Sequence, residues 1–473
     1  MTLWFVLSWS VVRTIMVSTV AVTLGQCVLR DIHSVASTRW RRTWLIAALI
    51  PLLVPELIVG FNYRLTAQKL TESVWGTELL YATVLLIRSC SVSILVLSLL
   101  PRSSVTPESI HSWRLLNQRT IHHRWLHLKL LVTGPWRAPV VAWCLTALVT
   151  FQDFETAALI QVVGHPVVWT VWLFDANAGN QSLDQTLTFM MAPLLIEFAL
   201  LIPGLWLIRA NSPAQHSADT ISSRNTTRSF PWWSIIATTV ALFIVAGWPV
   251  LLSLPELWEG TRTLLRDPAA IIRQQAITFG LSATAAAVSL SAAVLLHRWD
   301  RTPATVLCLL PGLAGSLSLS LILMWLFQQP GMQLLWDTWL PMLVGQSLLM
   351  LPRAWVLVLV LKSTVSPEAL HSAALLKSGQ PRHRQSALQL LWSLSHARWM
   401  LAAVVLCHWC TWDVTTASIL RPVSVEPVVT RLYQEMHFSR TESLTTLSLI
   451  TISIPWIALT IVAVIRRIIL RIT

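Results

Sequence analysis

The sequence predicts an all-α integral membrane protein with about eleven transmembrane helices in two parallel repeats, five in the first and six in the second. Three observations carry this expectation. The 473 residues are 55% hydrophobic and 12% charged, with a mean hydropathy of +0.63, whereas soluble domains carry roughly 25% charged residues. Apolar stretches recur from end to end, each about 20 residues long, the length a helix needs to cross a ~30 Å hydrocarbon core. The chain also aligns with itself at an offset of 260 residues. Open sheet edges are excluded from such an environment, because unpaired backbone groups find no water there.

Taken in order, the first apolar run starts at the N-terminus. Met1 to Gln26 resembles a signal peptide only superficially: no basic residue precedes its apolar run and Arg13 stands in its middle, so it reads as a retained span. Runs bounded by charge then place helices at approximately 4–29, 44–63, 79–100, 138–160, 187–208, 232–254, 271–296, 304–327, 339–361, 398–420 and 444–467. Segment 161–176 is apolar as well, but Gly164, His165 and Pro166 interrupt it. That puts it in an external loop or a re-entrant piece.

Alternating the loops across the bilayer collects Arg30, Arg39, Arg41, Arg42, the stretch 102–137, the linker 209–231, Arg298, Arg301, the stretch 362–397, Arg466, Arg467 and Arg471 on one side. By the positive-inside rule that side is the cytoplasm. The loops 161–186 and 328–338 on the other side contain no Lys or Arg. The expected placement is therefore the cell inner (cytoplasmic) membrane, multi-pass, with the N-terminus outside and the C-terminus cytoplasmic. The net charge of +13 belongs to these loops, so no nucleic acid partner is expected. Membrane lipid is the expected surround.

Residues 210–229 are polar and lack an apolar period, the mark of a linker. The division is then 1–208, a first unit of five spans; 209–231, a cytoplasmic linker; and 232–473, a second unit of six spans. The two units share a loop. Ser103-Ser-Val-Thr-Pro-Glu-Ser-Ile-His-Ser112 aligns with Ser363-Thr-Val-Ser-Pro-Glu-Ala-Leu-His-Ser372, and the register holds without a gap to Asp153/Asp413 and Thr156-Ala157/Thr416-Ala417. Such self-similarity marks a duplicated unit. Both copies face the cytoplasm, so the repeat is parallel, unlike the inverted repeats frequent among secondary transporters.

Each loop copy contains a helix start. Thr106 or Ser366 suits the cap, Pro107 or Pro367 the first helical position, and Glu108 or Glu368 the positive end of the helix dipole. A short amphipathic helix along the cytoplasmic face follows, with Leu115, Leu116, Leu375 and Leu376 on its apolar side. Read singly, such a helix rests on lipid headgroups. Its recurrence between corresponding spans points to a docking element.

At these residues the chain resembles the permeases of binding-protein-dependent ABC importers, whose cytoplasmic loop reads Glu-Ala-Ala, three residues, Gly, nine residues, then Ile-x-Leu-Pro. Gly379 fits the Gly position, which sets Ala373, Ala374 and Leu375 on Glu-Ala-Ala and Gln389, Leu391 and Trp392 on the Ile, Leu and Pro; a one-residue slip sets Ser372, Ala373 and Ala374 there instead, and either way the glutamate and proline are absent. In the first half Arg119 replaces the Gly, with Trp113, Arg114 and Leu115 before it and Lys129, Leu131 and Val132 after it. Both copies are degenerate. Among such permeases the iron(III)-type importers are similar in fusing two units in one chain, which makes iron(III) or another small solute the implied cargo. The resemblance implies two copies of a cytoplasmic ABC ATPase and an external substrate-binding protein as partners.

Charges inside or near the spans, Arg13, Glu56, Arg88, Asp153, Glu155, Glu197, Arg353 and Asp413, are costly in lipid unless paired. Asp153 and Asp413, equivalent at the 260 offset, are the candidate translocation-pathway pair; the plainer reading solvates them at the interface or pairs them structurally. Arg88 and Arg353 are not equivalent at that offset and read as internal ion-pair residues. Cys407 and Cys410, around His408 and Trp409, read as buried packing, and no disulfide framework is implied. No nucleophile and base arrangement or metal-ligand spacing stands out, so no catalytic residue, metal or cofactor is expected. There is no Gly-x-x-x-x-Gly-Lys-Ser/Thr, so ATP hydrolysis is expected on a separate subunit. The rival readings are an ion-coupled secondary transporter using Asp153 and Asp413, and a degenerate membrane scaffold.

Overall fold

A computed structural model describes residues 2–35, 37–70, 72–100, 128–162, 164–179, 181–209, 232–264, 268–299, 302–364, 371–373, 375–376, 392, 396–437 and 441–472. The described residues are almost wholly helical, and their one ladder contact is an isolated bridge between Val162 and His165. Seven helices among them are long and apolar enough to cross a membrane, or up to ten if each bent pair counts as one span. Large apolar side chains stay on the outside, among them Ile15 and Met16, Leu195 and Ile202, and Ile457 and Ile461. Lipid accepts such surface where water does not. The chain is an all-helical, multi-pass membrane protein.

Chain contacts divide it into two compact units, Met1–Val54 with Asn62–Val250, and Pro55–Phe61 with Leu251–Thr473. The linker expected at 209–231 lies, but for Arg209, outside the described residues.

In the first unit α1 (Leu3–Ser34), α4 (Val74–Leu99) and α5 (Arg137–Phe151) pack on one another. Before α4 come α2 (Thr38–Leu49) and α3 (Glu56–Lys69), the latter beginning among residues that group with the second unit. After α5 come the short α6 (Glu155–Ile160), α7 (Trp169–Ala178) and the long α8 (Leu183–Arg209), which packs back on α5. Ser73 caps α4 by accepting from the Gly76 amide at 3.1 Å, satisfying one of the donors a helix start leaves open. Helix α9 (Trp232–Leu242) also packs against α2.

The second unit holds α10 (Leu257–Leu264), α11 (Pro268–Trp299), α12 (Thr302–Leu313), α13 (Ser316–Phe327), α14 (Leu340–Thr364), α15 (Ala397–Thr411), α16 (Val414–Leu420), α17 (Val428–His437) and α18 (Thr441–Ile472). Here α11, α14 and α15 pack on one another, and α18 packs on α15.

Several stretches expected as continuous spans are broken. The run 44–63 bends by 71° between Leu52 and Glu56, 304–327 by 95° between α12 and α13, and 398–420 by 58° between α15 and α16. The run 138–160 stops at Phe151 and restarts at Glu155. Local chemistry explains the sharpest bend. Gly315 takes φ +81° at the start of α13, a left-handed conformation that a side chain disfavours, while hydropathy alone reads straight through it. In the interrupted segment 161–176, Val162 and His165 bridge one another and α7 starts at Trp169.

Candidate functional site

The two breaks that follow α5 and α15 each carry one of the aspartates singled out in the sequence. Asp153 is 6% exposed. Its Oδ2 accepts from the Tyr81 hydroxyl at 2.8 Å and from the Ala157 amide at 3.2 Å, and its carbonyl accepts from the Thr170 hydroxyl at 2.7 Å. One residue thus ties α4, α6 and α7 to the break, the first two through its side chain and the third through its carbonyl. Oδ1 has no hydrogen-bond partner among the described residues. Arg88, two turns further along α4 than Tyr81, lies within electrostatic range.

Beside it stands a second buried group. Arg13 on α1 pairs with Glu78 on α4, Nη2 to Oε1 at 2.8 Å and Nε to Oε2 at 3.0 Å. Glu78 Oε1 also accepts from the Trp9 indole at 2.9 Å and the Val167 amide at 3.2 Å, while Arg13 Nη2 donates to the Val167 carbonyl at 2.8 Å. The Ser10 hydroxyl accepts from the Trp169 amide at 3.2 Å, and the Trp169 indole donates to the Phe151 carbonyl at 2.6 Å. The guanidinium lies 5.0 Å over the Tyr81 ring. Such saturation is what makes a buried ion pair tolerable, since desolvation costs several kcal/mol per ion unless the remaining donors and acceptors are met. The chain ahead of α7, which would otherwise be irregular backbone in lipid, is held there by this pair.

In the second unit Asp413 is likewise 6% exposed and caps α16, Oδ1 accepting from the Thr416 amide at 3.3 Å. Oδ2 has no hydrogen-bond partner among the described residues. Arg353 lies within electrostatic range and its guanidinium stands 5.7 Å from the Trp409 ring centre. The chain at the start of α17 is held through Gln274 and Thr278 rather than through a buried ion pair: Gln274 Nε2 donates to the Glu426 carbonyl at 3.1 Å, the Val428 amide to the Thr278 hydroxyl at 2.9 Å, and Arg431 Nη1 to Gln274 Oε1 at 3.0 Å.

The positions of Arg88 and Arg353 correct the sequence reading. Helices α5 and α15 begin and end 260 residues apart, but α1 and α11 begin and end 265 apart. Ahead of the repeated loop the register is thus longer by five residues. At 265 Arg88 coincides with Arg353, Tyr81 with Gln346, and Trp9 and Arg13 with Gln274 and Thr278. Each unit therefore sets one arginine against one aspartate, a correspondence that an ungapped comparison hides.

Of the loop residues, Pro107, Glu108, Trp113, Arg114, Leu115, Arg119, Pro367, Glu368, Ala374 and Gly379 lie outside the described residues. Ala373 is buried and Leu375 exposed. Cys407, His408 and Cys410 are buried in α15. Glu197, inside α8, is 3% exposed, with neither carboxylate oxygen hydrogen-bonded at normal distance among the described residues. No group of three or more His, Cys, Asp or Glu is placed to hold a metal ion among the described residues.

Sequence reasoning missed Glu78 as the partner of Arg13, because it falls one residue ahead of the expected span 79–100. It also missed Tyr81 and Gln346. A signal existed: Trp9, Arg13, Glu78 and Tyr81 are polar or amphipathic residues spaced three or four apart on two apolar helices, which puts each pair on one helix face. Comparison of the chain with protein-family models, with curated proteins and with solved structures finds no match.

Proposed function

We propose that this chain is the membrane-spanning permease subunit of an ABC importer, with two permease-like units in one polypeptide, and that it takes no catalytic part in ATP hydrolysis. One observation carries the reading. In each unit a 32-residue helix, a bent apolar pair, a long helix, a 15-residue helix broken at a buried aspartate, a 10-residue helix and a last long helix follow in the same order. The repeated cytoplasmic loop falls at the same point in both. In this reading the run 138–160, which is not among the ten candidates, is an eleventh span and Trp232–Arg262 goes with the second permease-like unit, for an arrangement of five and six.

In this reading two copies of an ATPase dock on the loops around 103–135 and 363–395, and an external binding protein delivers the solute. ATP binding closes the ATPase pair and tips the units between inward-open and outward-open states, a rigid-body switch. Iron(III) is the solute implied by resemblance. A hard ferric ion wants carboxylate or phenolate oxygens, and the chain has three tyrosines, so specificity rests with the binding protein.

The test is purification in mild detergent with identification of co-purifying proteins, then uptake into reconstituted vesicles. A cytoplasmic P-loop ATPase should accompany the chain, and uptake should need ATP, the ATPase and the binding protein together. Replacing Gly379 by Trp should abolish stimulated ATP hydrolysis, and replacing Arg119 should do less; negligible effects at both sites in folded protein remove the coupling-loop reading. A second reading, an ion-coupled secondary transporter, is favoured by the buried carboxylates at helix breaks, since discontinuous helices are a feature of such proteins. Uptake driven by an ion gradient without ATP, and stopped by Asp153→Asn or Asp413→Asn, would establish it instead.

A further inference from the structure

We infer that the break beside Asp413, and not its counterpart beside Asp153, is a binding site for a compact cationic or proton-donating group. The two breaks occupy corresponding places, but their surroundings have diverged. At Asp153 one carboxylate oxygen meets a phenol and an amide while the other has no hydrogen-bond partner among the described residues, an arginine lies in range, and the neighbouring chain is pinned by the Arg13–Glu78 pair. That break is an anchor.

At Asp413 the phenol is replaced. Gln346, at the Tyr81 position seven residues ahead of the arginine, donates Nε2 to the Cys410 carbonyl at 3.5 Å. The Asp413 amide donates to the same carbonyl at 3.3 Å, so the Gln346 amide group and Asp413 stand side by side. The helix carrying Gln346 closes directly on the break: a Cβ added at Gly345 would lie 2.8 Å from Thr416 Cγ2. Gln346 is 2% exposed. Its Oε1 and Asp413 Oδ2 both lack a hydrogen-bond partner at normal distance among the described residues, as do Trp412 Nε1, Thr415 Oγ1 and Thr416 Oγ1, the last of these close enough to the Asp413 carboxylate to interact with it.

The chemistry of this group is mostly that of acceptors. A carboxylate oxygen and an amide oxygen stand unmet near the end of α15, where the Cys410 carbonyl already accepts from both Gln346 and the Asp413 amide, and buried acceptors left unmet are costly, more so when charged. Their complement is a group that brings N–H donors or positive charge. Arg353, seven residues beyond Gln346 on the same helix, offsets part of the Asp413 charge at range. The net field therefore suits a monovalent group better than a divalent one. Oxygen donors alone favour an alkali or ammonium ion over a transition metal.

The site can be tested on the purified full chain without ATPase or binding protein, so its failure would leave the permease reading standing. Thermal unfolding is followed by tryptophan fluorescence in equal concentrations of sodium, ammonium and choline chloride. Ligand binding raises Tm with the logarithm of ligand concentration. The expected result is a higher Tm in ammonium, in sodium or in both than in choline, and the arm that responds identifies the ion. The rise should vanish in Asp413→Asn and in Gln346→Leu, and persist in Tyr81→Phe, which alters only the other break. Should Asp413→Asn fail to fold, Gln346→Leu decides. Equal Tm in all three salts, the outcome for a site that takes only water, overturns the inference. A rise that survives Gln346→Leu, or one lost equally in Tyr81→Phe, does the same.

Discussion

The Arg13–Glu78 pair offers the sharpest test of how the first unit is held. Glu78→Ala removes the acceptor of Arg13, of the Trp9 indole and of the Val167 amide at once, leaving a guanidinium that is only 7% exposed. At the effective dielectric that best describes such sites, a pair about 4 Å apart attracts by about 4 kcal/mol. Breaking a buried pair by deleting one member costs about 3–5 kcal/mol, because the remaining charge stays desolvated. Arg13→Met should cost a similar amount and also frees the Val167 carbonyl. With roughly 2–4 °C of Tm per kcal/mol for a unit of this size, each single change should lower Tm by roughly 6–20 °C in mild detergent.

The double variant Arg13→Met/Glu78→Met leaves no buried charge behind. It should be less destabilised than the sum of the singles by about 2–3 kcal/mol, within the range that coupled neighbours show. Two singles that each cost under about 0.5 kcal/mol, or a double equal to their sum within that margin, would mean the pair is solvated and the chain before α7 is held by something else.

Other outcomes follow from the same structure. Gly312→Val should destabilise the second unit strongly, because a Cβ there would overlap the Leu348 carbonyl, and backbone cannot turn aside as a flexible side chain does; a Tm within 1–2 °C of the parent, on the scale of the per-kcal shift above, would refute the close approach of α12 to α14. Single cysteines at Ser37, Ser217 and Ser378 should react with an impermeant reagent only from the cytoplasm, and one at Gln329 only from outside; labelling of Gln329 and Ser378 from the same side would break the assigned topology.

Much of the fold was legible in advance because bilayer thickness imposes a length. Apolar runs near 20 residues read directly as helices, and the cores of α1, α4, α8, α11, α14 and α18 fall where hydropathy puts them. Breaks within runs were less legible. Leu, Val and Ile on either side of Asp413 and Gly315 keep hydropathy high while the backbone turns.

The aspartates were found by the 260 register, but their arginines were not, since five extra residues before the first loop shift the correspondence to 265. Equivalent residues in a duplicated chain need to share a place in space, not a constant separation in sequence.

The sequence by itself determined the solvent of this protein, its helical class, the duplicated loop and the two break carboxylates, because each follows from composition, period or self-similarity along one dimension. Only the tertiary structure decided which buried polar groups meet. Arg13 and Glu78 are 65 residues apart in the chain, Tyr81 and Asp153 72, and Gln346 and Cys410 64. A hydrogen bond acts over about 3 Å, and the packing of one helix face on another sets which residues come that close. The same packing set the Tyr81 phenol on Asp153 and the Gln346 amide on the Cys410 carbonyl beside Asp413, so two carboxylates that look alike in the sequence sit in different chemistry.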